Sequence, residues 1–197
     1  MFSKNNIITI LSVLALMSVL IFSYLFTKKE IEYNPFTQKL NTGSAYVTLN
    51  ELKENKIVLL YFGFLSCPDV CPTTLSSMAR VFKDLPQNKL DKISFVFVDL
   101  DPERDTIQKL KEYAAYFHPK ILAVSVPLSD LNLFTRFFGI AFMKVPLKSQ
   151  MGYTVDHSTD IIVLSPKGEM LESLPHEHPK NLISARLNKL INEYFKL

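Results

Sequence analysis

An α/β sandwich of thioredoxin type, held behind a single N-terminal transmembrane helix, is predicted by three features of this 197-residue chain. A charge-free apolar stretch runs from Ile7 to Phe26. Beyond it, short continuous apolar runs alternate with amphipathic ones. Near the end, Ser165-Pro166-Lys167-Gly168 separates two apolar segments and predicts a hairpin.

The first stretch has about the 20 residues that a helix needs to cross a ~30 Å hydrocarbon core. Lys4 precedes it, and Lys28 and Lys29 follow. A cleaved signal would carry a shorter apolar stretch of roughly 7–15 residues and a small-residue cleavage site. Here the stretch ends in Ser23-Tyr24-Leu25-Phe26, and no cysteine follows to carry a lipid. The expected organisation is therefore an uncleaved anchor over 1–28, a polar tether over 29–45 containing Pro35, Gly43 and Ser44, and a folded domain over 46–197. Basic residues are nearly balanced across the anchor, and so short an N-terminal tail ordinarily stays inside. No Arg- and Ser-rich presequence is present. The expected location is a bacterial inner membrane, crossed once, with the domain facing the periplasm. The formal charge is +3. The domain itself is near neutral and has no basic cluster interleaved with aromatics, so nothing in it points to a nucleic-acid partner.

Ile57–Phe62, Ile93–Val98, Ile121–Val126 and Asp160–Leu164 predict strands, the first three buried on both faces. Between them, Thr73–Leu85 has a proline just before its start, Asp105–Phe117 opens with an acidic turn, and Ser129–Phe138 opens with a capping residue. Ile183, Leu187, Leu190, Ile191 and Tyr194 recur at helical spacing and predict a closing amphipathic helix. The β–α order alone also suits a flavodoxin-like sheet; the terminal hairpin favours the thioredoxin type.

The only two cysteines lie four apart in Gly63-Phe64-Leu65-Ser66-Cys67-Pro68-Asp69-Val70-Cys71-Pro72, where a buried strand hands over to a helix. Ligand sites of open α/β sheets sit at strand carboxyl ends. A helix N-terminus favours thiolate, the form that binds metal. Helical residues four apart hold their Cβ atoms ~5–6 Å apart, whereas a disulfide wants ~3.5–4.5 Å. Two thiolates on one metal ion tolerate the wider gap, and a redox thioredoxin would use Cys-x-x-Cys. Two buried structural cysteines, or an inert local disulfide bond between them, are the plainer alternatives.

Two thiolates suit Cu(I), and an added imidazole also accepts Cu(II). His157, in Tyr153-Thr154-Val155-Asp156-His157-Ser158, is placed in the loop entering the strand Asp160–Leu164, facing the cysteine turn, with Asp156 as a candidate partner for its ring. His118, before Pro119, is expected to cap helix carbonyls, and His176 and His178 to be solvated loop residues. Met143, Met151 and Met170 are expected in the core or on its rim. Asp99-Leu100-Asp101-Pro102-Glu103-Arg104-Asp105-Thr106 is the densest charge run. It is expected as a solvated turn, near enough to a strand end to rim the same mouth.

Taken together, the cysteine segment, the run Asp101–Thr106 and the segment Tyr153–Ser158 resemble the Sco/SenC family in order and separation, over roughly residues 46–195. That resemblance implies a thioredoxin-like, membrane-anchored copper protein supporting assembly of the binuclear copper centre of cytochrome c oxidase. It implies Cys67 and Cys71 as thiolate ligands and His157 as the imidazole ligand. The implied partners are the oxidase's copper-bearing subunit and an upstream copper donor. Ser66 departs from the family pattern, in which a bulkier residue often precedes the first cysteine. Two other functions use the same cysteines. A thiol–disulfide oxidoreductase acting on the oxidase's copper-ligand cysteines needs no His157, and a peroxidase of related fold needs one reactive cysteine.

Overall fold

The computed structural model describes residues 13–22 and 33–197. Residues 13–22 are helical with exposed side chains. The remainder of the expected membrane span over 7–26 lies outside the described residues. Among the described residues no helix is long and apolar enough to cross a membrane.

The second compact unit begins at Pro35. Part of the expected tether is thus folded into the domain. Strands β1 (Leu40–Asn41) and β2 (Tyr46–Val47) pair as a small antiparallel hairpin, and Leu40 is fully buried. A capping box follows: Thr48 accepts from the Glu51 N–H, and Glu51 accepts from the Thr48 N–H. It starts the single turn α1 (Leu49–Leu52). The polar composition of 35–45 hid a segment in which Leu40 is a core anchor and Phe36 packs on Phe137 and Phe138.

The main sheet contains β3 (Ile57–Gly63), β4 (Ile93–Asp99), β5 (Ile121–Val124), β8 (Ile161–Leu164) and β9 (Met170–Leu174) in the order β5-β4-β3-β8-β9. β3, β4 and β5 are parallel, while β8 and β9 run antiparallel. This is the thioredoxin-like arrangement. All seven residues of central β3 are buried, which explains its unbroken apolar run. Its odd-numbered residues face α2 (Val70–Asp84), α4 (Ile107–Phe117) and α6 (Lys180–Phe195), joining Cys71, Met78, Leu110 and Leu187 in one core. Its even-numbered side packs Phe62 on Phe134 and Phe138, around α5 (Leu128–Phe137). The short helix α3 (Gln87–Leu90) links α2 to β4.

The sequence pattern did not predict the third β unit. β6 (Phe142–Pro146) and β7 (Tyr153–His157) form an antiparallel ribbon that pairs with no strand of the main sheet. Its residues are mostly exposed, so no apolar run announced it. Met143, Met151 and Met170 are 63%, 46% and 50% exposed, which places them on the surface and not in the core. The His118 ring does not cap carbonyls; its Nδ1 accepts from the Lys120 N–H and its face meets Phe82.

At the carboxyl end of β4, Asp99 is fully buried. Its Oδ1 accepts from the Asp101 N–H at 2.9 Å, and its Oδ2 has no partner. Burial, reinforced by the neighbouring Asp105 and Asp101 carboxyls, pushes its pKa up to about 8. Asp99 therefore holds a proton in the folded state that the unfolded chain gives up near pH 4. Its stabilising effect is full below that pH and is lost as pH rises through about 8. Asp99→Asn should flatten this loss: between pH 5 and pH 8 the wild type should lose on the order of a few kcal/mol relative to the variant. Urea midpoints of both proteins at the two pH values measure it, and parallel pH slopes would contradict the assignment.

Candidate metal centre

The sulfurs are positioned by the junction of β3 and α2. The strand ends at Gly63, where a Cβ would sit 2.6 Å from Cys71 Sγ and 2.8 Å from the Phe97 ring. A side chain there would displace the sulfur, so glycine is required by close approach. Helix α2 begins at Val70, three residues earlier than its pattern suggested, and Cys71 lies in its first turn. The capping residue Asp69 makes no side-chain cap bond. Instead Cys67 Sγ accepts from the Cys71 N–H at 3.4 Å, so a sulfur answers one of the helix's free amides.

The two thiols are inequivalent. The Cys71 thiol's hydrogen bond to Cys67 holds Cys67 down to about 4, aided by His157 and the N–H groups of Cys71 and Asp69 against partial burial. That same bond, then burial and the nearby Cys67 charge, pushes the Cys71 thiol far up. Cys67 is half-buried, Cys71 fully buried, and both are free.

His157 approaches from the end of β7, a strand and not the expected loop. Its Nδ1 lies 2.8 Å from the Ser158 carbonyl, which can only accept, so Nδ1 carries the proton. Nε2 is left with its lone pair, an acceptor at hydrogen-bonding distance from Cys71 Sγ, 3.9 Å away. Phe64 fixes the ring edge-to-face at 5.9 Å. Asp156, suggested as the ring's partner, is exposed, and the Ser158 carbonyl takes that role. Cys67, Cys71 and His157 place their ligand atoms within 4.8 Å of one another, the one such group among the described residues. Cys67 and His157 border an open cavity of about 330 Å³ whose walls include Phe64, Pro68 and Val155, and Cys71 lies buried behind them. His176 is bonded to Thr159 and, with His178, lines a different cavity.

The acidic run is not a solvated turn. Asp101 is 1% exposed and binds Arg104 at 2.5 Å and the Tyr153 hydroxyl at 2.8 Å. Arg104 also donates to the carbonyls of Met151 and Tyr153 and lies 3.7 Å from the centre of the Tyr153 ring. Lys144 pairs with Glu103. Asp105 Oδ2 accepts from the Leu65 N–H at 2.7 Å, two residues before Cys67. One turn thus grips both the cysteine loop and the ribbon that carries His157. Sequence reasoning missed Arg104, Tyr153 and Asp105 as the residues that hold the site together. Their only signal was that both segments were singled out separately.

Two soft thiolates and a neutral imidazole, at an open cavity, form a donor set suited to a copper ion, with room for one incoming ligand.

Comparison with known proteins gives the same picture. The SCO1/SenC family model matches residues 28–192. An Arabidopsis thaliana protein, SCO1 homolog 1, mitochondrial, is 31% identical over 162 residues, covering 82% of this chain. The chain spans about half of that relative, 48% of its length. An SCO2-like protein of Rickettsia typhi is 30% identical, with 86% of this chain and 91% of the relative covered. Apo Sco1 from Thermus thermophilus superposes with a TM-score of 0.72 at 30% identity, over 81% of this chain and 93% of that one. Arabidopsis ScoI with copper bound gives 0.72 at 29% identity, over 80% and 97%. With a family model matched across the whole domain and its fold shared with solved relatives, the chain belongs to the SCO1/SenC family.

Proposed function

We propose that this protein binds one copper ion through Cys67, Cys71 and His157 and passes it to the copper-bearing subunit of cytochrome c oxidase. The convergence of those three ligand atoms within 4.8 Å carries the reading. Family membership and the copper held by the Arabidopsis relative support it. The three residues supply complementary chemistry. Cys67 is a thiolate at neutral pH and meets the ion first. Cys71 gives up its proton on binding, and His157 offers Nε2 in the correct tautomer without rearrangement. Three ligands on an open cavity leave a position for a partner's sulfur or imidazole, so transfer proceeds by ligand exchange. We further propose that residues 7–26 anchor the chain once in a bacterial inner membrane with the domain facing the periplasm.

Anaerobic titration of the full-length chain in detergent should give one Cu(I) per protein. Cys67→Ala, Cys71→Ala and His157→Ala should each weaken binding by about 10–100-fold or more, since even outer-shell losses reach that range. Wild-type affinity and spectra in His157→Ala would remove the histidine from the site.

A second reading, reduction of the oxidase subunit's cysteines, is favoured by the inequality of the two thiols: a half-exposed thiolate beside a buried protonated thiol is a nucleophile with a resolving partner. It needs no imidazole, so oxidase maturation that survives His157→Ala but not Cys71→Ser would favour it. Both readings share one consequence. Alkylation of Cys67 in the reduced apo-protein should be flat from pH 6 to 8, because the thiolate is already formed, while Cys71 stays unreactive. A rate rising about tenfold per pH unit, as for an ordinary thiol near 8.5, would show that Cys67 is not a thiolate.

A further inference from the structure

Beneath the two sulfurs, on the core side of the site, hydroxyl groups lie buried without regular hydrogen-bond partners. Tyr61 Oη and Thr74 Oγ1 are two of them, and their residues are 0% and 2% exposed. Buried hydroxyls are ordinarily paired, so orphans of this kind ask for a state in which they are satisfied.

Both surround Cys71. Tyr61 is two residues before Gly63 on the same face of β3, and Gly63 abuts the Cys71 sulfur. Thr74 is three residues after Cys71, on the same side of α2. The Tyr61 hydroxyl lies close enough to Cys71 Sγ and Thr74 Oγ1 to interact with both, but with neither in hydrogen-bonding geometry. Phe97 stacks on the Tyr61 ring at 6.0 Å and 22°. In the apo-protein the Cys71 proton is directed at Cys67, and a neutral thiol sulfur is a weak acceptor. When a metal ion binds, the S–H bond breaks, its proton leaves to solvent and the sulfur bonds the metal. The sulfur then carries negative charge and becomes a strong acceptor.

We propose that Tyr61 is a positioning residue for the bound copper: its hydroxyl donates to Cys71 Sγ in the metal-bound state and withdraws electron density from that sulfur. Hydrogen bonds to a ligating sulfur tune the metal's potential, and a less electron-rich thiolate disfavours Cu(II) relative to Cu(I). The fold thus holds in reserve a donor that becomes useful only after loading. This inference rests on the copper-binding reading above.

The test uses the full-length chain in detergent, carrying tyrosine labelled with carbon-13 at Cζ, before and after one equivalent of Cu(I). The Tyr61 resonance, told from that of Tyr113 by the contact that only Tyr113 makes with Phe117, should move on loading clearly more than that of Tyr113. Tyr113 is the matched control, since its hydroxyl is also partnerless but feels the two sulfurs only through their charge. Tyr61→Phe should raise the preference for Cu(II) over Cu(I) about tenfold, a fall of about 59 mV in potential, and red-shift the sulfur-to-Cu(II) charge-transfer band. Tyr113→Phe should change neither. An unmoved Tyr61 resonance, a wild-type potential in Tyr61→Phe, or equal shifts in both variants would overturn the proposal. The labelled wild type answers the question even where Tyr61→Phe does not fold. Failure of the wild type to bind copper would sink the copper reading as well, whereas binding with an unmoved Tyr61 resonance sinks this inference alone.

Discussion

The buried pair of Asp101 and Arg104 is the constraint on which the rest of the site depends. Asp101 is removed from water and satisfied on both oxygens, by Arg104 and by the Tyr153 hydroxyl. Arg104 Nη1 donates to two backbone carbonyls of the ribbon. Such a pair contributes little net stability, because desolvation offsets attraction, yet removing one partner costs about 3–5 kcal/mol. Its value is geometric. The sulfurs and the imidazole come from chain segments that share no strand ladder, and this charge pair, with the Asp105–Leu65 bond, sets their separation.

The same junction decides the chemistry of the sulfurs. A helix start with no side-chain cap leaves its amides to Cys67, and a glycine lets Cys71 sink against the strand. One thiol is therefore half-exposed and ionised, the other buried and protonated. Two residues of one type, four positions apart, acquire different roles from where the backbone sets them.

Much of this was legible in the residues. Buried strands such as Ile57–Gly63 declare themselves by unbroken apolar runs, and helix α6 by its spacing. The convergence of Cys67, Cys71 and His157 was also legible, because two lone cysteines stand at a strand-to-helix handover and the segment of His157 precedes a strand of the same sheet. The ribbon was not, since its two strands are largely exposed and follow no alternation of apolar and polar residues. Nor was the role of the acidic run. Charged residues in a turn ordinarily face solvent, and burial of Asp99 and Asp101 follows from tertiary partners far along the chain. Local composition failed where long-range pairing decided the outcome. Leu40 shows the same thing at smaller scale, as one apolar residue in a polar stretch that reaches the core.

The ribbon's independence from the main sheet gives the centre an uneven stiffness. One sulfur stands on the loop leaving the most deeply buried strand of the domain and the other on the helix packed over that strand, whereas the imidazole rides on a two-stranded appendage. Lifting that appendage breaks a few polar contacts but no rung of the five-stranded sheet. A metal ion held there as proposed would have one detachable tooth on an otherwise rigid jaw, and its release would begin at the nitrogen while the sulfur pair kept its spacing.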